Sequence, residues 1–219
     1  MVFKQKKALI ISDFDGTICK LDVGSEFLSR FAGKPRVELE RLCNKECTGS
    51  RAAYQQIMPL IKGNQEEMKE FALSKGKLTR GFMPFYRLCI KKDLDVKILS
   101  DGLDFYIRCI LENKGITDIE FYSNVVEFGD EESMRIRFPE MNELCGRCGT
   151  CKNAILHSFR LRYEKILYIG DGHSDWCPSR CADVVFAKGI LLKQYEKEGL
   201  PCIPFEDFNV IHQYLKRNF

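Results

Sequence analysis

Residues 8–12 read Ala-Leu-Ile-Ile-Ser, and Asp13-Phe14-Asp15-Gly16-Thr17 follow at once. A run that is apolar on both faces of an extended strand cannot lie against water on either side. It predicts a central strand of a parallel sheet, covered by helices above and below. Two carboxylates and a glycine at its carboxyl end place charge and a sharp turn where open parallel sheets bind their ligands. Short β-branched runs recur at residues 96–99, around 119–122, at 166–169 and at 184–186, and a short one passes through Ile203. Helical spacing fills the intervals: Leu103, Ile107, Ile110 and Leu111 before Gly115, then Ile155, Leu156 and Phe159, then residues 191–198 before Gly199, and a closing helix over 208–215. The alternation predicts an α/β protein with a doubly wound, mainly parallel sheet.

Residues 20–80 break that rhythm, with helical patterns but no convincing strand. Pro35 suits a first helical turn, Asn64 with Glu67 resembles a capping box, and Gly33, Gly49, Gly63 and Gly76 punctuate the segments. The stretch reads as a helical cap inserted over the strand ends, so that 1–19 and 81–219 form the core domain and 20–80 the cap. A smaller insertion is expected where 125–128 and 134–138 flank 129–132, a pattern that suggests a β-hairpin.

Composition mainly excludes. A 45% hydrophobic and 30% charged chain is ordinary for a soluble globular protein, and a net charge of +3 from scattered basic residues gives no footing for nucleic acid. No apolar run is long enough to span a bilayer, and residues 8–11 are too short for a signal-peptide core, so a cytoplasmic protein is expected. Without an export signal, eleven cysteines do not read as a disulfide framework; Cys89 and Cys109 lie in apolar stretches and suit small core positions.

The chemistry-bearing residues fall at strand ends. A strand-end carboxylate such as Asp13 can attack phosphorus, and a second at Asp15 can protonate a leaving alkoxide and later activate water. Alone, the pair is better explained as a solvated strand-end turn. Gly170-Asp171-Gly172-His173-Ser174-Asp175 adds two carboxylates after the fourth strand, although Ser174 and Asp175 also suit helix capping. Hard oxygen donors of this kind suit Mg²⁺: Asp13, Asp171 and the backbone carbonyl of Asp15 as ligands, with Asp175 alongside holding a water or a lysine. Ser100-Asp101-Gly102 ends the second strand with a hydroxyl and backbone N–H groups able to bind phosphate oxygens. Lys152, at the start of the helix before the fourth strand, can neutralise both Asp13 and a transferred phosphoryl group.

In this order, Asp13 to Thr17, Ser100, Lys152 and Gly170 to Asp175 resemble the four signature motifs of the haloacid dehalogenase (HAD) superfamily. The resemblance covers the whole chain and implies a Rossmann-like core and a Mg²⁺-dependent phosphomonoesterase acting on a small phosphorylated metabolite. It implies Asp13 as the nucleophile forming an aspartyl-phosphate, Asp15 as acid and base, and Thr17, Ser100, Gly102 and Lys152 contacting or supporting the phosphate. A cap between Thr17 and Ser100 resembles the phosphoserine-phosphatase-like subgroup. Ser100 to Phe105, the Cys151-Lys152 pair and residues 182–192 look like the methionine-salvage enol-phosphate phosphatase. Gly170 to Pro178 look more like phosphoethanolamine/phosphocholine phosphatases, in which the position of Asp101 helps to recognise a cationic head group; their second head-group acid has no match here, Gly24 falling near its place. The specificity acid of phosphoserine phosphatase falls near Asp22, and its cap arginine near Gln55, which argues against phosphoserine.

Cys145, Cys148 and Cys151 have a spacing that could hold Zn²⁺, with Cys177 and Cys181 or Cys43 and Cys47 as helpers; reduced, partly buried thiols are the favoured reading. Two rivals in other classes are a non-enzymatic phospho-aspartate receiver and a zinc- or redox-sensing module on the same scaffold. A receiver needs neither Asp15 nor a cap, and intact acidic motifs count against a retired enzyme.

Overall fold

The computed structural model describes residues 5–33, 49–129 and 134–219. Pro35, Cys43 and Cys47 lie outside them. The sheet is built from β1 (Lys6–Ser12), β2 (Asp95–Leu103), β3 (Glu120–Phe128), β4 (Met134–Arg137), β5 (Tyr163–Gly170), β6 (Val184–Ala187) and β7 (Ile203–Pro204), in the order β4-β3-β2-β1-β5-β6-β7. All neighbours pair in parallel except β3 with β4. The expected doubly wound sheet is therefore present, and its order reverses between β1 and β5. A crevice opens at such a reversal, beyond the strands' carboxyl ends. Asp13 and Asp171 leave β1 and β5 on its two sides, and the Asp13 N–H donates to the Ile169 carbonyl at 2.9 Å.

The two-faced apolarity of β1 has the predicted use. Leu9 and Ile11 pack with Leu99, Tyr168 and the helix α6 (Lys152–Phe159), whereas Ala8 and Ile10 belong to the cluster on the opposite face. That second cluster contains α4 (Phe82–Lys91) and the closing helix α9 (Phe208–Asn218), whose Phe85 and Phe208 rings stand 5.0 Å apart. Each fully buried aromatic of this kind contributes about 1.5–3 kcal/mol. The remaining core helices are α5 (Asp104–Asn113), the short α7 (Trp176–Ser179) and α8 (Gly189–Lys197).

The third run and the first arm of the expected hairpin form one continuous strand, β3, with β4 as the second arm. The first half of β3 pairs with β2 and its second half with β4, because β3 outruns the sheet at that edge. Its mixed burial, with half-exposed Phe121, Tyr122 and Val125, hides a single strand from a search for uniformly apolar runs.

The inserted segment consists of α1 (Val23–Phe31), α2 (Gly49–Ile57) and α3 (Gln65–Lys75) among the described residues. Asn64 caps α3 by accepting from the Glu67 N–H at 2.9 Å. The chain enters and leaves through paired linkers: Cys19 bridges Leu78 antiparallel, Lys20 N–H donates to Lys77 O, and Thr79 N–H donates to Ile18 O. α3 packs on α5, where a Cβ on Gly76 would stand 2.5 Å from the Ile110 side chain, so glycine permits the approach. Phe27 of α1 meets Phe105 of α5 with ring centroids 5.0 Å apart, which makes inserted segment and core one apolar cluster. No helix among the described residues is long and apolar enough to cross a membrane.

Candidate active site

The turn after β1 delivers the first carboxylates. Asp13 is extended (φ −67°, ψ 162°), and Gly16 takes φ +73°. A Cβ at Gly16 would stand 2.5 Å from Asp171 Oδ2, so this position needs glycine both for its backbone and for its space. Thr17, buried beside it, donates its hydroxyl to Asp171 Oδ1 at 2.8 Å, and its carbonyl accepts from the Thr79 hydroxyl at 2.7 Å. The outgoing linker of the inserted segment is thus tied to the site.

Lys152 opens α6 with its side chain buried, Nζ donating to Asp13 Oδ1 at 2.6 Å and to Asp175 Oδ1 at 2.7 Å. Asp175 has no spare capacity: Oδ1 also accepts from the Tyr168 hydroxyl, and Oδ2 from the N–H groups of Asp171 and Gly172, each at 3.0 Å. Ligand atoms of Asp13, Asp171 and Asp175 lie within 4.8 Å of one another, and among the described residues they form the sole such His/Cys/Asp/Glu group. A divalent cation fits this donor set. The oxygens are hard, and the one ammonium bonded within the cluster, Lys152, reaches Asp13 and Asp175 but not Asp171. Since the bonds of Asp175 are spent on Lys152, Tyr168 and two backbone donors, Asp13 and Asp171 are the better ligands and Asp175 the support.

Burial and like charge work against ionisation in this cluster. Burial, with Asp175 beside it, pushes the Asp171 carboxyl up to about 6, against the Thr17 hydrogen bond. Burial also raises Asp13, opposed by Lys152. Burial works to lower Lys152, but Asp13 and Asp175 outweigh it and hold the ammonium charged. Lys188, half-buried near Asp171 and Asp13, is lowered by burial against their attraction.

Asp15 faces the inserted segment. Its Oδ1 accepts from the N–H of Val23 (2.8 Å) and Gly24 (3.2 Å), at the start of α1, and its Oδ2 accepts from the Tyr106 hydroxyl at 2.5 Å. Burial first, then the Asp22 charge, raise its carboxyl to about 7, against these three donors. A carboxyl titrating near neutrality can give and take a proton in one cycle. A Cβ on Gly102 would meet the Tyr106 oxygen at 1.8 Å and Asp15 Oδ2 at 2.7 Å, so this glycine makes room for the Tyr106–Asp15 pair. Replacing Tyr106 by Phe removes a donor that favours the ionised acid. If activity requires protonated Asp15, the alkaline limb of the pH–rate profile moves up, by about one pH unit for a hydrogen bond to a charged group. Initial rates from pH 5 to 10 test this; an unmoved or lowered limb contradicts it.

The other expected residues divide. Ser100 is buried within the carboxyl-terminal half of β2, its Oγ accepting from the Gly102 N–H at 3.0 Å, on the side of Asp13 because Ser12 pairs with Ile98. Asp22 caps α1 by accepting from Ser25 N–H and Oγ. Asp101 is already bonded: its Oδ1 accepts from the Thr150 N–H (3.0 Å) and Asn124 Nδ2 (3.3 Å), and its carboxylate bonds Ser50. Among the described residues, Gln55 has no hydrogen bond to any of these site residues. The helical phase that buries Ala53, Tyr54 and Ile57 leaves it exposed on α2. Cys145, Cys148 and Cys151 are free thiols and do not form a tight metal-ligand group; burial pushes Cys148 up to about 12. The Cys181 thiol donates to Asn153 Oδ1 and contacts His157 at 3.5 Å.

Tyr106, Tyr168, Ser50, Thr150 and Asn124 escaped the sequence reading. The two tyrosines carried a signal, since a phenol in a wholly buried stretch must find a polar partner. The others had none, because their partners are remote in the chain.

The family described as "Putative Phosphatase" matches residues 8–196. Among curated relatives, 2-hydroxy-3-keto-5-methylthiopentenyl-1-phosphate phosphatase of Exiguobacterium is 31% identical over 210 residues, 94% of this chain and 96% of that protein. The protein of that name from Bacillus pumilus is also 31% identical, over 93% and 88%. Among solved structures, a phospho-aspartyl intermediate analogue of phosphoserine phosphatase superposes with a TM-score of 0.72 at 22% identity, covering 96% of this chain and 99% of that one.

Proposed function

Because this chain belongs to the phosphatase family that its residues 8–196 match, a HAD-type phosphoric monoester hydrolase of the phosphoserine-phosphatase-like subgroup, we propose that it hydrolyses the methionine-salvage enol phosphate named for its relatives. Near-full-length similarity to those relatives carries the reading. The bonding of Asp101 supports it over a cationic head group, since that carboxylate is already engaged by Thr150, Asn124 and Ser50. Exposed Gln55 offers phosphoserine no receptor.

In the proposed reaction, an Asp13 carboxylate oxygen attacks phosphorus and the bond to the leaving oxygen breaks. Asp15 delivers its proton to that oxygen. Asp15, now ionised, takes a proton from water as the water attacks the aspartyl-phosphate, releasing phosphate and restoring Asp13. Lys152 holds Asp13 in place and offsets charge on the phosphoryl oxygens, and Ser100, whose oxygen accepts from Gly102, donates its own proton to one of them. Asp13, Asp171 and the Asp15 carbonyl would hold Mg²⁺, which would supply further charge neutralisation. Residues 20–80 act as a cap that excludes water and sets specificity.

A panel of phosphorylated metabolites, assayed with Mg²⁺ and with a chelator, tests the reading. The enol phosphate is expected to show the highest kcat/KM, at least about ten times that of phosphocholine, phosphoethanolamine or phosphoserine, a margin of about 1.4 kcal/mol. Preference for phosphocholine or phosphoethanolamine would overturn the substrate. Absence of chelator-sensitive hydrolysis of every member would overturn the metal-dependent mechanism.

A further inference from the structure

Three consecutive residues fasten the start of α2 to the core. A Cβ on Gly49 (φ +77°) would stand 2.0 Å from the Arg147 carbonyl oxygen, so only glycine fits there. Ser50 Oγ accepts from the Gly149 N–H at 3.1 Å, and its hydroxyl hydrogen-bonds the Asp101 carboxylate. Arg51 N–H donates to the Arg147 carbonyl at 3.2 Å. The loop that receives these contacts ends in Thr150 and Cys151, and the next residue is Lys152.

Asp101 holds the loop from its other side. Its Oδ1 accepts from the Thr150 N–H at 3.0 Å. Asn124 completes the clamp, donating to the Asp101 carbonyl at 2.7 Å and accepting from the Thr150 hydroxyl at 3.2 Å. The Lys152 N–H then donates to the Thr150 carbonyl at 3.0 Å, and Lys152 Nζ reaches Asp13. A continuous bonded path therefore runs from the inserted segment through Ser50, Asp101, Thr150 and Lys152 to Asp13. Asp101 also lies between Ser100 and Gly102 in the chain, so the one carboxylate is tied to both flanks of the crevice.

We propose that Ser50 and Asp101 form a latch that couples seating of the inserted segment on the core to the placement of Lys152, with Asp101 a positioning residue and not a ligand of the substrate. The proposal rests on the phosphatase reading above. Withdrawal of Ser50 takes one donor from Asp101 and one acceptor from Gly149, and loosens the loop that aims the lysine. The effect falls on the chemical step for any phosphate ester, whatever its leaving group. A receptor for a cationic group would instead act on binding of cationic substrates alone. Bonded contiguity motivates coupling, and a double-mutant cycle measures it.

The experiment is that cycle, on p-nitrophenyl phosphate and on phosphocholine. Ser50→Ala and Asp101→Ala are each expected to lower kcat about tenfold on p-nitrophenyl phosphate, with KM changed less than about twofold. The double variant is expected to lose about tenfold also, not the roughly hundredfold of independent sites. Asp101→Asn keeps an oxygen for Thr150 and Asn124 and is expected to recover most of kcat on both esters. Additive losses, a Ser50→Ala enzyme within twofold of wild type, or an Asp101→Asn enzyme impaired only on phosphocholine would each overturn the latch. If Asp101→Ala does not fold, Ser50→Ala and Asp101→Asn decide by the same criteria. An inactive wild-type enzyme would overturn the phosphatase reading, whereas an active one with an unaffected Ser50→Ala variant overturns the latch alone.

Discussion

Replacing Asp13 by Asn is expected to lower kcat by at least about 10³-fold, the scale seen when a nucleophile is removed, while leaving the protein folded. The two halves of this expectation have different causes. An amide oxygen is a poor nucleophile, and attack on phosphorus requires the ionised carboxylate. Stability is spared because Asn has the same shape and its Oδ1 can still accept from Lys152 Nζ, now 2.6 Å from Asp13 Oδ1. The substitution also removes one of three crowded carboxylates, from a position where burial already works against the charge. Thermal melts should therefore show a midpoint equal to wild type or above it. A variant that retains full turnover would refute Asp13 as the nucleophile. One that is inactive but melts far below wild type would leave the chemistry confounded, so Asp13→Glu accompanies it: it keeps the charge but moves the carboxylate by a methylene, and is expected to be inactive too.

What the chain disclosed about itself follows from how local each constraint is. β1 was readable because its apolarity on both faces and the carboxylates after it lie within ten consecutive residues. Asp171 and Asp175 were readable for the same reason, at the end of β5. Lys152 was readable from its order in the chain relative to Ser100 and Asp171, although its ion pairs with Asp13 and Asp175 span the molecule. Asp101 sits on the boundary. Its place after Ser100 is a local fact, but the direction of its side chain depends on Thr150, Asn124 and Ser50, three residues from three other segments. A one-dimensional reading offers such a carboxylate to the substrate because it cannot see the donors that take it. Gln55 depends on helical phase: a shift of one position on α2 exchanges buried Tyr54 for exposed Gln55. Tyr106 signals in the sequence that its phenol needs a partner, but the partner, Asp15, appears once Gly24 and Gly102 are seen to make room around its hydroxyl.

Replacing Lys152 by Met is expected to cost both activity and fold. The side chain is 2% exposed and supplies the ammonium shared by Asp13 and Asp175, so its removal leaves buried carboxylates without their counter-charge. Breaking a buried ion pair from one side costs about 3–5 kcal/mol. That cost depends on pH, and its sign follows from proton uptake. Burial raises Asp13, and Asp171 to about 6, above their usual carboxylate range. Between about pH 4, where an unfolded Asp titrates, and pH 6, the folded state therefore holds more protons than the unfolded state. Stability then falls as pH rises through this window and goes on falling to about pH 7, where Asp15, raised to about 7 by burial and the Asp22 charge, also ionises. Without Lys152 the carboxyls are raised further, so the gap between variant and wild type should be largest near pH 8 and shrink towards pH 5. Urea melts in chelator at both pH values measure it. Equal losses at pH 5 and pH 8 would mean that packing of the lysine stem, and not its charge, holds the site together. A loss below about 1 kcal/mol at pH 8 would place it in the range of exposed pairs, contrary to its burial. Added Mg²⁺ should stabilise the variant more than the wild type, because the cation would enter a cluster that has lost the ammonium bonded to both Asp13 and Asp175.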